Sequence, residues 1–143
     1  MTKLDLFNEL AYSIDKDIRV YNSDVNYSSI CDKEIYITKS NKGIETYVKQ
    51  YLDIDFGFKY YNYCSYDLFI FLHELGHIEN GWIEPVEYYL IGEKLEQYTN
   101  YYKAQYEYSE LKDEIFASSW AMDFIKKNKK MIKRLDEEMR RLK

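Results

Sequence analysis

Residues 65 to 81, SYDLFIFLHELGHIENG, constrain the fold more than any other stretch of the chain. Ser65 is a favoured N-cap residue and Gly81 is a typical stop signal, so the pattern predicts a helix from Tyr66 to Asn80. Asp67 adds negative charge to the first turn, where the helix dipole favours it.

The predicted helix is apolar over much of its circumference. One face repeats large apolar residues at i, i+3, i+4 and i+7, namely Leu68, Phe71, Leu72 and Leu75. Phe69 and Ile70 lie on the other side, near the two histidines. We therefore expect this helix to be central to the fold, with both histidines directed into the protein or into a cleft.

The composition is that of a soluble, single-domain globular protein. The chain has 143 residues, of which 46% are hydrophobic and 31% are charged. Its amino terminus has no basic stretch followed by an apolar segment, and its longest apolar run, residues 68 to 72, is too short to span a bilayer. Cys31 and Cys64 are expected to be reduced thiols. We therefore expect a cytoplasmic protein.

The periodicity along the chain predicts a helix-rich α+β fold with a small early sheet. Residues 2 to 15 have the spacing of an amphipathic helix, and residues 18 to 24 and 33 to 40 have the composition of strands. Residues 44 to 52 and 86 to 108 are compatible with helices. A last long helical region is predicted to begin near Ser109.

The carboxy-terminal segment is basic although the chain as a whole is acidic. Residues 126 to 143 contain nine Lys or Arg and three Asp or Glu, which gives this segment a net charge of +6. Since the net charge of the chain is −5, residues 1 to 125 have a net charge of −11. We interpret this segment as a basic helical extension of the same domain. Its interleaved acidic residues favour a helix face that is exposed to solvent. The alternative is that the segment binds nucleic acid or an acidic partner.

His73 and His77 are the two histidines of the chain, and Glu74 directly follows the first. At i and i+4 on a helix, two imidazoles project from one face and can share a tetrahedral metal ion. A glutamate beside the open coordination position can act as general base toward a water that the metal acidifies. The alternative is a pair of core histidines with a solvated Glu74, but buried histidines would need other polar partners.

A zinc site of this type needs a third protein ligand, and a downstream carboxylate is the natural choice. The candidates are Glu79, Glu84, Glu87, Glu107, Glu110, Asp113 and Glu114. Glu114 is favoured because small residues follow it on its own helix face and would let two helices pack closely: Ala117, Ser118 and Ala121. The opposite side would face the core with Phe116, Trp120 and Phe124. Glu110 is the second choice, and an exposed, non-ligating Glu114 is the alternative.

At these residues the chain resembles the zincin metallopeptidases, and most of all the ImmA/IrrE family. HELGH at 73 to 77 is intact, and EIFAS at 114 to 118 is similar to the E-x-x-A-D element of that family. The resemblance implies a zincin-like metallopeptidase domain over residues 1 to 125, with His73, His77 and Glu114 as Zn²⁺ ligands and Glu74 as catalytic base. Ser118 stands where the family usually has Asp.

The resemblance also implies a function. We expect a zinc-dependent endopeptidase that hydrolyses a peptide bond in a cytoplasmic regulatory protein, for example the repressor of a mobile element. The alternative is a phage or mobile-element protein that keeps the zincin fold and binds a host or regulatory protein without proteolysis.

Overall fold

The computed structural model describes residues 1–39, 64–81 and 111–142, and these form a mixed α+β fold. In chain order the elements are α1 (Lys3–Ile14), β1 (Arg19–Asn22), β2 (Tyr27–Ser29), β3 (Glu34–Ile37), α2 (Tyr66–Asn80), α3 (Lys112–Lys127) and α4 (Lys129–Arg141). The predicted class, helix-rich α+β with an early sheet, is confirmed. The helices predicted at 44–52 and 86–108 lie outside the described residues.

The three strands form one sheet in the order β1, β3, β2, with β3 parallel to β1 and antiparallel to β2. Because side chains alternate along a strand, one face carries the buried Val20, Ile35 and Ile37. Tyrosines occupy the opposite face in register, and the ring of Tyr36 stacks between its two neighbours, 5.6 Å from Tyr21 and 4.3 Å from Tyr27. The buried face therefore directs the sheet toward the helices.

Helix α1 closes the free edge of β1. The side-chain amide of Asn8 donates to the carbonyl oxygen of Val20 at 3.1 Å and accepts the Val20 N–H at 2.9 Å. These are the two groups that a neighbouring strand would satisfy, so β1 is protected from further pairing. The preceding residue, Phe7, stacks on Phe71 of α2 with ring centroids 4.4 Å apart, and this contact joins α1 to the central helix.

Helix α2 has the bounds that its capping residues predict. The Ser65 side chain accepts the Leu68 N–H, and Gly81 adopts the left-handed conformation with φ of 68°. Nearly all positions from Leu68 to Ile78 are buried, on both sides of the helix. Every helix within the described ranges falls short of the length and apolarity needed to cross a membrane.

The last predicted helical region is two helices instead of one. Asn128 separates α3 from α4 with φ of −126° and ψ of 38°, and its side chain donates to the Phe124 carbonyl at 2.9 Å. The first of these helices begins at Lys112, whereas the sequence predicted a start near Ser109. Helix α4 contributes the fully buried Ile132 to the same core as the other helices.

The prediction that Phe116 faces the core is wrong, since 42% of this residue is exposed. Trp120 and Phe124 are partly buried against the core and stack on each other at 5.3 Å. Each step of four residues rotates the side chain by about 40° around a helix, so the first member of this series turns away from the core.

Helix α4 also reaches the start of α2. Asp136, buried at 5% exposure, accepts the backbone N–H of Ser65 at 3.0 Å through Oδ1. This N–H belongs to the N-cap residue of α2 and has no partner within its own helix. The segment predicted as a basic extension thus supports the helix that carries HELGH.

Candidate metal centre

Helices α2 and α3 lie antiparallel and approach each other closely. A Cβ added to Gly76 would lie 2.7 Å from the carbonyl oxygen of Ala117, so only glycine leaves room for this contact. Near the end of α2, Asn80 donates to the Asp113 carboxylate at 3.1 Å. This close approach places the first two turns of α3 against the histidine face of α2.

The structure brings His73, His77 and Glu114 together. The Nε2 atoms of His73 and His77 each lie 2.8 Å from the same carboxylate oxygen, Oε2 of Glu114. One ligand atom from each residue fits in a group whose members all lie within 4.8 Å of one another. The two imidazole rings meet edge to face, with centroids 4.8 Å apart.

Charge interactions hold Glu114 in its ionised form. Burial alone would raise its pKa, but the charges and hydrogen bonds of His73 and His77 outweigh burial and hold the pKa well below its usual range. Burial likewise opposes protonation of His77, whereas the hydrogen bond and charge of Glu114 raise its pKa overall. The carboxylate of Glu114 therefore presents a negative oxygen to a cation, and a metal ion that binds the imidazoles would displace their protons.

These residues fit a divalent metal ion. Two imidazoles and one carboxylate are a donor set that suits zinc, and three protein ligands leave one tetrahedral position open. Around an ion with bonds of about 2.0–2.1 Å, tetrahedral ligand atoms stand roughly 3.3 Å apart. The observed 2.8 Å contacts would have to open by roughly half an ångström to admit such an ion. The side chain of His73 is 17% exposed, so solvent reaches the site from its side.

Glu74 lies next to this group and is deeply buried. It is 6% exposed, and its Oε2 has no hydrogen-bond partner among the residues that the structure describes. Burial raises its pKa, and the charges of the neighbouring histidines offset this only in part. An unpaired buried carboxylate oxygen is uncommon and calls for an explanation.

Ser118 contacts the far side of the His73 ring. Its Oγ lies 2.9 Å from Nδ1 of His73, one helical turn beyond Glu114 on the same face of α3. The sequence places Ser118 on the small-residue face, and the family resemblance puts it at a position whose usual Asp would support a metal ligand, but neither identifies the His73 ring as its partner. Its position four residues after the candidate ligand Glu114 is the signal for the contact, since residues at this spacing share a helix face.

The remaining predicted ligands divide into three groups. Asp113 is buried but pairs with Asn80, and Glu79 is exposed on α2. Four further candidates lie outside the described residues: Glu84, Glu87, Glu107 and Glu110. Within the described ranges, Glu114 is the carboxylate that joins the histidines as a possible metal ligand.

Comparison with models of protein families, with curated proteins and with solved structures finds no match to this chain.

Proposed function

We propose that this chain is a zinc-dependent endopeptidase of the ImmA/IrrE type that hydrolyses a peptide bond in a cytoplasmic regulatory protein, such as the repressor of a mobile element. The observation that carries the proposal is the buried Oε2 of Glu74, which has no hydrogen-bond partner within the described ranges and belongs to the residue that follows the potential metal ligand His73. A purely structural glutamate would have its buried oxygens paired, whereas a general base needs a free oxygen to receive a proton.

Each residue of the site has a distinct task in this proposal. His73, His77 and Glu114 hold the ion, which, when bound, supplies the Lewis acidity that polarises a carbonyl group and lowers the pKa of water to about 7. Glu74 receives the proton of the attacking water and returns it to the leaving amine.

We infer the substrate class, a regulatory protein of a mobile element, from the resemblance of HELGH and EIFAS to the family elements. The antiparallel contact of α2 and α3 supports that resemblance, because it brings the glutamate of the second element to the histidines of the first.

The decisive experiment is the substitution Glu74→Gln, which keeps the shape of the side chain and removes its basicity. The variant should retain zinc, measured by elemental analysis of protein purified without added metal, and should lose peptidase activity by about 10²- to 10⁴-fold. Cleavage is read by mass spectrometry on an unfolded model protein. Glu79→Gln, at an exposed position of the same helix, is the matched control and should cleave normally. If the zinc-loaded Glu74→Gln variant cleaves the substrate as fast as the unsubstituted chain, the proposal is refuted.

The second candidate function is the binding of a regulatory protein without proteolysis. It is favoured by the tyrosine row on the outer sheet face, where Tyr21 and Tyr27 are each 44% exposed. Tyrosine combines an apolar ring with a polar tip and is enriched in protein interfaces. A biological effect that survives Glu74→Gln would favour this function over the first.

A further inference from the structure

His73 is held at both ring nitrogens by groups with different hydrogen-bonding character. Nε2 lies 2.8 Å from a carboxylate oxygen of Glu114, and Nδ1 lies 2.9 Å from the hydroxyl oxygen of Ser118. An ionised carboxylate can only accept hydrogen bonds, whereas a hydroxyl can donate or accept. Ser118 is 3% exposed, so bulk water is not available to replace it.

The carboxylate determines which nitrogen of a neutral His73 carries the hydrogen. Because Glu114 accepts, Nε2 must donate to it, and Nδ1 is then left with a lone pair. In this arrangement Ser118 has to donate its O–H to Nδ1.

A metal ligand needs the opposite tautomer. For Nε2 to offer its lone pair to an ion, the ring hydrogen must lie on Nδ1. Ser118 then has to accept the Nδ1 hydrogen, with its hydroxyl rotated. The same side chain can serve both arrangements without any movement of the helix.

We propose that Ser118 is a positioning residue that supports both tautomers of His73, so that the site takes up and releases its metal without leaving a buried ring nitrogen unsatisfied. A carboxylate here would support only the Nδ1–H form, and alanine would support neither. The inference rests on the proposed function for its metal alone and does not depend on peptide cleavage.

Zinc affinity of the full chain, measured by competition with a chromophoric chelator, provides the first test. Ser118→Ala should weaken zinc binding by about 10- to 100-fold, the usual effect of losing a group that orients a metal-bound histidine. Ser118→Thr keeps the hydroxyl and should bind zinc within a few-fold of the unsubstituted chain. The exposed neighbour Ser119→Ala is the matched control and should change nothing. Wild-type affinity in Ser118→Ala would overturn the inference.

Nitrogen NMR of the full chain labelled in its two histidines provides the second test. The resonances that Ser118→Ala perturbs identify His73. They should report hydrogen on Nε2 in chelator-treated protein and on Nδ1 after zinc is added. Ser118→Asp should keep a hydrogen on Nδ1 even after chelator treatment. An unchanged His73 tautomer on zinc addition to the unsubstituted chain would overturn the inference.

The two proposals fail in distinguishable ways. A chain that binds zinc and exchanges the His73 tautomer but cuts no peptide refutes the endopeptidase and leaves the role of Ser118 standing. A chain that binds no zinc refutes both. If circular dichroism shows that Ser118→Ala is unfolded, the threonine variant and the spectra of the unsubstituted chain decide the question.

Discussion

At the scale of single residues, the burial of Glu74 destabilises the folded state. A polar atom that loses water without gaining a hydrogen bond costs about 1–3 kcal/mol, and more when it is charged. Its Oε2 lacks such a bond among the described residues. Folded proteins retain a cost of this size mainly at functional sites, where stability is given up for chemistry. Glu74 directly follows His73 in the sequence, and we therefore propose that the base and the metal belong to one site.

The two thiols should differ sharply in reactivity. Cys31 is exposed, whereas Cys64 is 2% exposed, and burial together with the charge of Asp136 raises the pKa of the Cys64 thiol. Because the thiolate is the reactive form, a disulfide reagent should modify one thiol quickly and the second only when the chain unfolds. Absorbance of the released chromophore follows both phases. Cys31→Ser should abolish the fast phase, and two equal rates in native buffer would contradict the described burial.

The residues of the candidate site were partly predictable from the sequence. The spacing of His73 and His77 predicts a shared face because four residues are close to one helical turn. The third ligand had to be selected from seven acidic residues, and small side chains beside Glu114 favoured it because they permit close helix packing. The contact of Ser118 with Nδ1 of His73 depends on the separation and orientation of α2 and α3. The periodicity of the sequence does not specify how two helices are placed relative to each other.

At the scale of elements, the contact of α2 with α3 positions the candidate ligands. Gly76→Ala should therefore be destabilising although alanine is the better helix former. The added Cβ would lie 2.7 Å from a backbone oxygen. Forcing an extra carbon into a packed contact typically costs about 1–3 kcal/mol, against a gain of about 1 kcal/mol in helix propensity. Urea unfolding measures the loss.

The same variant should also bind zinc more weakly, because α3 carries Glu114. Glu79→Ala, at an exposed position of α2, is the control and should stay within about 0.5 kcal/mol of the unsubstituted chain. Unchanged stability in Gly76→Ala would mean that the helices do not approach as closely as described.

The buried Asp136 should be more important for stability than its neighbours in the basic segment. Asp136→Ala removes the acceptor of the partly buried Ser65 N–H, and we expect a loss of about 1 kcal/mol, toward the lower end of the range for an unsatisfied donor. The ion pair of Asp136 with Arg140 at 3.5 Å adds little, because 71% of the arginine side chain is exposed. Chemical denaturation of Asp136→Ala beside the exposed Glu137→Ala checks this prediction. Equal stabilities would show that α4 does not support α2.

Elements with strong boundary signals were predictable, and those determined by packing were not. Helix α2 has a capping serine and a terminal glycine, so its bounds follow from local chemistry. Strand β2 has three residues, two of them serine, and exists because β3 offers it an edge. The break at Asn128 interrupts a run of good helix formers, so local propensity favoured continuation.

At the scale of the whole molecule, a bound ion would join parts of the chain that are far apart in sequence. The ligands come from α2 and α3, which pack against the same core as α1, the sheet and α4. A ligand that binds only the folded state stabilises it by about 2.7 kcal/mol at one hundred times its Kd. For a chain of this size that corresponds to an increase in Tm on the order of 10 °C.

Thermal unfolding with and without zinc measures this increase. Glu114→Ala should abolish the zinc-dependent shift, because it removes the one anionic ligand. Asp123→Ala, an exposed acidic position on the same helix, is the control and should retain the full shift. An equal shift in Glu114→Ala would place the zinc elsewhere.

The bond between Ser65 and Asp136 also has a consequence for biosynthesis. Its two ends are separated by 71 positions, and a ribosome adds residues one at a time in order. The helix that carries HELGH therefore leaves the ribosome well before the carboxylate that secures its beginning. In a growing polypeptide the helix that carries the candidate metal ligands His73 and His77 can gain this bond only once translation has passed Asp136.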